Sequence, residues 1–251
     1  MSRALFVSDI HISSSTDPKA GLFLRLLNAC IRDRVNELFL VGDIFDLWIA
    51  DRSYFTREYN EIIVKIRQLI QLGIKVHYFE GNHDLDLRRF WQHSVGADVY
   101  SEAAYFNLNG YKLRVEHGDQ MDPADRGYLF LRWLLRTRFV VFLGRYLPSF
   151  IVAMIGRRAS HSSRDYTSTV KAASDEEVRE KIHRHAVRVF AESPFDILIS
   201  GHVHVAEDSI EEIGDRQVRC INMGTWLKKP IVLEIAESAV ELKAVEEIVG
   251  D

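Results

Sequence analysis

Five times along this chain a short apolar run ends in residues that bind metals. Ala4-Leu5-Phe6-Val7 leads into Asp9-Ile10-His11, and Leu38-Phe39-Leu40-Val41 into Gly42-Asp43-Ile44-Phe45-Asp46. Val76-His77-Tyr78-Phe79 leads into Gly81-Asn82-His83-Asp84, and Tyr111 to Val115 into His117-Gly118-Asp119. Ile197-Leu198-Ile199 leads into Gly201-His202-Val203-His204. Apolar runs of this length between turn residues read as buried strands. In open α/β sheets, sites form beyond the carboxyl ends of the strands, so five such loops are expected to converge on one crevice.

The intervals between the runs set the fold class. Asp17 can cap a helix from about Lys19 to Arg34, with Leu22, Leu26, Ala29 and Cys30 on one face. A second amphipathic helix spans Tyr54 to Leu72 (Ile62, Ile66, Leu69, Ile70), and Gly73 is placed to end it. This βαβαβ rhythm predicts a layered α/β sheet. Asn109-Gly110 between two apolar runs predicts a type I′ hairpin, so antiparallel strands join the parallel ones. Ser174 and Glu177 form a capping box that opens a helix to about Glu192. Further strands are expected at Val218 to Ile221, Ile231 to Ile235 and Val240 to Ala244. The Glu-rich tail from about Glu237 to Asp251 reads as an edge strand and a solvated end. Between about Pro123 and Ala173 the chain is rich in aromatics, aliphatics and arginine, which predicts a helical insertion over the strand ends, a lid. The 251 residues are then one domain, 1–251, with an insertion at about 123–173.

Composition excludes several classes. A net charge of −4 argues against a generally basic nucleic-acid binder. Cys30 and Cys220 are far apart and form no C-x-x-C pattern, so neither a disulfide framework nor a zinc knuckle is expected, and a reducing cytosol is the default. The N-terminus has no h-region that fits a signal peptide. The most apolar stretch, Tyr128 to Ile155, is broken by Arg132, Arg136, Arg138 and Arg145, and never reaches the roughly 18 uncharged residues of a spanning helix.

The residue types fit one chemistry. Asp, His and Asn supply oxygen and imidazole donors without a thiolate, which suits Mn²⁺, Fe or Zn²⁺. A pair of metals about 3.5–4 Å apart needs a shared carboxylate, and Asp43 is the natural candidate. Alternation along an extended segment would put Asp9 and His11 on one face, and likewise His202 and His204. Singly, each motif is ordinary: D-x-H is often a capped turn and H-x-H a surface pair. All five in order, each after a strand, point to a metal centre.

These blocks, D-x-H, G-D-x-x-D, G-N-H-D, H-G-D and G-H-x-H, resemble the calcineurin-like metallophosphoesterase superfamily from Asp9 to His204. The resemblance implies a four-layer αββα sandwich of two mixed sheets and two divalent metal ions. Asp9, His11, Asp43 and His204 would hold one ion; Asp43, Asn82, His117 and His202 the other. His83 would face the phosphate, oriented by Asp84. Asp46, Asp84 and Asp119 would accept imidazole N–H bonds, the alternative being turn-forming carboxylates.

A closer resemblance is to the UDP-2,3-diacylglucosamine pyrophosphatase family of lipid A synthesis. It rests on Gly42 to Ile49, on His117-Gly118-Asp119 followed by Asp125 and Tyr128, and on Asn222-Met223-Gly224-Thr225-Trp226. The better-known branch of that family has arginine where this chain has His83. The resemblance implies cleavage of the pyrophosphate to release UMP, Mn²⁺ as the metal, and substrate contacts from Asp125, Tyr128, Arg157, Ser160 and Arg164. Large apolar residues of the insertion, among them Phe130, Trp133, Leu134 and Phe139, either pack onto the main domain or form an acyl-chain groove. The expected partner is an amphiphilic nucleotide lipid, met by a cytoplasmic protein at the inner leaflet of the membrane. The rivals are another phosphodiesterase or phosphatase of the superfamily, acting on a nucleotide or phosphoprotein, and a non-catalytic scaffold.

Overall fold

Alternation along each strand divides its side chains between two cores, and this division builds the layers. The computed structural model describes residues 2–135, 137 and 175–250. These form a six-stranded sheet from β1 (Arg3–Val7), β2 (Glu37–Val41), β4 (Lys75–Phe79), β6 (Asp98–Tyr100), β12 (Ile231–Ala236) and β13 (Ala239–Ala244). Its order is β13-β12-β1-β2-β4-β6, with β1, β2, β4 and β6 parallel, β12 antiparallel to β1, and β13 antiparallel to β12. A five-stranded sheet contains β7 (Ala104–Leu108), β8 (Tyr111–Val115), β9 (Ile197–Ser200), β10 (Ala206–Ile213) and β11 (Arg216–Met223), ordered β10-β11-β9-β8-β7. A small pair, β3 (Trp48–Ile49) and β5 (Asp84–Leu85), ties the second and third ligand loops together.

Leu5, Val7, Leu38 and Leu40 turn outward onto α1 (Pro18–Arg32), α3 (Asn60–Gln71) and their neighbours, against Phe23, Leu26, Ile62 and Ile66. The alternate residues Phe6, Phe39 and Val41 turn inward and meet Leu113, Val115, Ile199 and Ile221 of the other sheet. Behind that sheet, Leu198, Val218 and Cys220 pack on Ile182, Ala186 and Val189 of α5 (Asp175–Glu192), a helix numbered after α4 (Arg126–Leu135). Three cores between successive layers make the expected αββα sandwich. The carboxyl ends of β1, β2, β4, β8 and β9 carry the five ligand loops.

Particular elements differ from expectation. The Tyr54–Leu72 helix is divided into α2 (Ser53–Glu58) and α3 at Tyr59, whose φ of −104° and ψ of 24° leave the helical region. Its ring packs on Phe45 and its hydroxyl donates to the Ile12 carbonyl at 3.1 Å. The tail is not a solvated end: α6 (Val245–Val249) buries Val245 and Ile248, and Arg32 holds the Ile248 carbonyl at 2.6 Å and that of Val249 at 3.0 Å. The strand β10 was not expected, nor were β6 and the π-helix Arg88–Val95. The hairpin is as expected, with Asn109 at φ 50° and Gly110 at φ 90°. Helix α4 opens the 123–173 interval; the Ser174 cap, Arg157, Ser160 and Arg164 lie outside the described residues.

Candidate metal centre

The chain turns sharply where each strand ends, and most of the turns are made by the functional residues themselves. Asp9, His11, Asp43, His202 and His204 have φ between 51° and 69°, in the left-handed region. Asp9 and His11 thus share a site through two kinks and not through extended alternation, since β1 stops at Val7; the same holds for His202 and His204 beyond β9. Left-handed backbone is unfavourable for β-carbon-bearing residues. Hydrogen bonds hold it here: Asp9 N to the Gly42 carbonyl, His11 N to that of Asp43, and Ile12 N to that of Ile44, at 3.0–3.1 Å. The Thr225 hydroxyl and the Trp226 N–H both donate to the Asp9 carbonyl, at 3.0 and 3.1 Å, which gives the Asn222–Trp226 element a local role. Lys19 donates to the carbonyls of Ile10 and His11.

Asp9 and Asp43, both buried, each divide their oxygens between protein and centre. Asp9 Oδ2 accepts from the His202 N–H at 2.9 Å, with the Ser8 hydroxyl 2.5 Å away. Asp9 Oδ1 is buried without a hydrogen-bond donor among the described residues, although His204 Nε2 lies 3.0 Å from it at ion-pair distance. Asp43 Oδ1 accepts from the His83 N–H at 2.9 Å, while Oδ2 points between His117 Nε2 at 3.5 Å and His11 Nε2 at 4.0 Å. His11 Nε2 and His204 Nε2 face each other at 3.2 Å. On the other side Asn82 Oδ1 lies 3.2 Å from His117 Nε2 and 3.1 Å from His202 Nδ1.

The imidazoles are oriented mainly by backbone. His117 Nδ1–H donates to the Val41 carbonyl at 2.9 Å, which fixes its tautomer and leaves Nε2 turned inward. His83 Nδ1–H donates to the Asp46 carbonyl at 2.9 Å. The expectation that Asp84 orients His83 is corrected here. The Asp84 carboxylate accepts from Ile44 N at 2.8 Å, Phe45 N at 3.3 Å and the Tyr78 hydroxyl at 3.0 Å, so it holds the loop that carries Asp43. Asp46 Oδ1 lies 3.9 Å from His11 Nδ1. Asp119 accepts from Arg132 Nε at 2.6 Å. Asp125 is exposed at the start of α4, and Tyr128 lies on that helix with its side chain outside the described residues. Residues that motif reading missed are Ser8, Lys19 and Tyr78, whereas Thr225 lies within the Asn222–Trp226 element. Of the three, only Ser8, a hydroxyl beside a ligand type, offered a signal.

The charges in the centre act strongly on one another. Burial opposes ionisation of Asp43, but His117, His83 and His11 outweigh it and hold the carboxyl far below its ordinary value; Asp9 is likewise lowered against its burial by His11 and His204. Burial would lower His117, yet Asp43 and Asp9 lift it to about 10. Burial and the neighbouring His117 push His202 down to about 4. Burial and Asp43 raise Asp84 to about 7. A buried cluster of carboxylates and imidazoles, with a carboxylate oxygen undonated among the described residues and aimed at imidazole nitrogens, has the chemistry of a divalent-cation site. Donor atoms of Asp9, His11 and His204 lie within 4.8 Å of one another, as do those of Asp9, Asp43 and His117, and those of His11, Asp46 and His83.

The chain belongs to the calcineurin-like phosphoesterase family, whose model matches residues 2–206. It is, with that family, a metal-dependent hydrolase. Among curated proteins it is similar to UDP-2,3-diacylglucosamine hydrolase of Pseudomonas fluorescens (strain SBW25), with 28% identity over 96% of this chain and 94% of that protein. The protein of the same name from Pseudomonas syringae pv. syringae (strain B728a) is 27% identical over the same shares. Among solved structures it is similar to Yfce, a phosphoesterase from E. coli, at 16% identity and a TM-score of 0.48, covering 98% of this chain and 94% of that one. Among the described residues no helix is long and apolar enough to cross a membrane.

Proposed function

We propose that this protein hydrolyses the pyrophosphate of UDP-2,3-diacylglucosamine, releasing UMP and the acylated glucosamine 1-phosphate. The observation that carries the reaction class is the convergence of His11, His117 and His204 on the carboxylates of Asp9 and Asp43, with Asn82 Oδ1 set between His117 and His202. Asp9, His11, Asp43 and His204 would hold one divalent ion, and Asp43, Asn82, His117 and His202 the second. Mn²⁺ suits this oxygen and imidazole set, with Fe and Zn²⁺ as alternatives. Two such ions supply an acidified water and positive charge for the phosphoryl oxygens.

The chain's own residues do the rest. Asp43 joins the two halves, its Oδ1 fixed by the His83 N–H so that Oδ2 serves both sides. Asp9 keeps Oδ2 on the His202 N–H and offers Oδ1. His83, held at Nδ1 by the Asp46 carbonyl, has Nε2 left to donate a proton to the leaving phosphate oxygen or to bind its charge. Burial would lower its pKa, but Asp43, Asp46 and Asp84 together with that hydrogen bond raise it above the ordinary imidazole value, which favours the proton-donating form. Asp84 and Tyr78 keep the Asp43 loop in place.

The substrate reading is supported by the relatives, which match over nearly the whole chain, and by α4. Its Phe130 and Trp133 are each 62% exposed and lie beside Leu134 on one helix side. Such a surface suits acyl chains and contact with the cytoplasmic face of the inner membrane. We read residues 1–251 as one domain with the insertion at 123–173 serving as this lid, and Asp125, Tyr128, Arg157, Ser160 and Arg164 as its substrate contacts. The test is UMP release from UDP-2,3-diacylglucosamine with Mn²⁺, beside an Asp43→Asn control. Metal-dependent release that the control lacks supports the reading. Hydrolysis of an aryl phosphodiester without UMP release would keep the metal centre and discard the substrate.

A further inference from the structure

Helix α4 reaches back to the metal centre through one side chain. Arg132 Nε donates to Asp119 Oδ2 at 2.6 Å, and Arg132 Nη2 donates to the Ser101 carbonyl at 3.3 Å, with Glu102 Oε1 3.5 Å away. The Arg132 side chain is 13% exposed and that of Asp119 5%, so this ion pair is screened little by solvent. Asp119 belongs to the loop that carries His117. That loop is confined: a β-carbon at Gly118 would meet the Met121 methyl at 2.9 Å and the Gly201 carbonyl at 3.2 Å, and Gly201 N donates to the His117 carbonyl at 2.9 Å. Asp119 therefore follows His117 by two residues on a loop with little room to move, and its carboxylate is held from the helix side by Arg132. Asp119 and Arg132 also line a cavity of about 420 Å³ that shares His117 as a wall.

We infer that Arg132 is a positioning residue that ties α4 to the His117 loop, so that metal loading and seating of α4 stabilise each other. The inference rests on the reading of His117 and His202 as metal ligands. The physical cause is charge balance in a buried place. With Arg132 present, Asp119 is neutralised from the helix side and the loop that carries His117 stays seated. Without Arg132 the buried Asp119 carboxylate loses a charged partner and the His117 loop loses its tie to α4, which leaves His117 Nε2 less firmly placed. By linkage, whatever α4 contributes to metal affinity, metal returns to the seating of α4.

The experiment compares the full-length protein with Arg132→Met and Arg132→Lys. Mn²⁺ binding is measured by calorimetry, and amide hydrogen exchange across residues 126–135 with and without Mn²⁺. Wild type should show α4 exchange slowed by Mn²⁺. Arg132→Met should bind Mn²⁺ about 10-fold more weakly, the order seen when a residue supporting a metal ligand is lost, and its α4 exchange should no longer respond to metal. Arg132→Lys, which keeps the charge but not the fork, should recover part of both effects. Wild-type affinity in Arg132→Met overturns the inference, as does α4 exchange indifferent to Mn²⁺ in wild type. Should Arg132→Met fail to fold, the Lys variant and the wild-type exchange experiment decide. A wild-type protein that takes up no Mn²⁺ overturns the metal-centre reading and this inference with it. Tight Mn²⁺ uptake with an unresponsive α4 overturns the inference alone.

Discussion

Replacing Gly81 by alanine would test the geometry of the centre with a single methyl group. Gly81 is outside the left-handed region, so alanine is allowed by the backbone. By restricting the unfolded chain alone it would add about 0.4–1 kcal/mol of stability. The space around it points the other way. The new β-carbon would lie 2.1 Å from Asp43 Oδ1, 2.6 Å from Asp43 N and 2.9 Å from Asp43 Cγ. Rotation of the side chain cannot relieve the contact with the backbone nitrogen, because the Asp43 loop is held by His11 N on the Asp43 carbonyl at 3.0 Å and by Ile44 N on Asp84 at 2.8 Å. Ordinary contact therefore requires Asp43 to shift by about 1 Å, and such misplacement of a reacting array costs about 100-fold in rate. Overpacking should also cost about 1–3 kcal/mol. Urea unfolding, Mn²⁺ calorimetry and hydrolysis of a chromogenic aryl phosphodiester would be measured beside Gly21→Ala, whose new β-carbon meets nothing within 4 Å. Should Gly81→Ala keep its urea midpoint and metal affinity, and work within about threefold of wild type against the 100-fold expected, the geometric argument is refuted.

Other outcomes follow from the same structure. Trp48 is fully buried among Phe45, Phe55, Tyr59, Phe90 and Trp91, so Trp48→Ala should cost about 3–5 kcal/mol in urea unfolding; a loss under about 1 kcal/mol would contradict that packing. Burial raises the Glu234 carboxyl, but Lys243 at 2.6 Å and Arg3 at 2.5 Å outweigh it and hold it below its ordinary 4.5. A lowered carboxyl stabilises above 4.5 and loses that contribution as pH falls through the folded value. Glu234→Gln should therefore be about 1 kcal/mol less stable at neutral pH and equal to wild type in acid, and a difference independent of pH would refute the linkage. Mn²⁺ at about 100 times its Kd should add about 2.7 kcal/mol per site, raising Tm by about 5–10 °C for each site filled in a chain of this size. Addition of EDTA should reverse the shift, and an unmoved Tm would count against a resident metal pair.

Much of this molecule was legible in residue pattern because its buried strands are short and purely apolar. Leu38 to Val41 and Ile197 to Ile199 have no competing reading, and the ligand types follow them directly. The strand β10 was hidden because Glu207, Asp208, Glu211 and Glu212 give it the composition of a loop; an exposed edge strand gains from such charge, which discourages pairing with other chains. The division of the second helix at Tyr59 depends on a tertiary contact with Ile12 that no local propensity encodes. The centre shows a similar boundary. Its donor side chains could be read, but their orienting partners are mostly backbone carbonyls, Val41 for His117 and Asp46 for His83, and carbonyls carry no residue signature. Extended alternation brought Asp9 to His11 and His202 to His204 by the wrong cause, because left-handed kinks are foreseen in sequence at glycine and here occur at aspartate and histidine.

Those kinks set thermal robustness against activity at the same five positions. Each left-handed aspartate or histidine costs about 1 kcal/mol that glycine would not. Glycine at position 11 or 204 would relieve that cost and erase a donor in the same step. A library of variants selected for heat resistance in chelator would therefore drift toward glycine at 9, 11, 43, 202 and 204 as well as at Arg34, Ala50, Asp86, Asn109 and Glu237, and only the first five changes would cost metal binding.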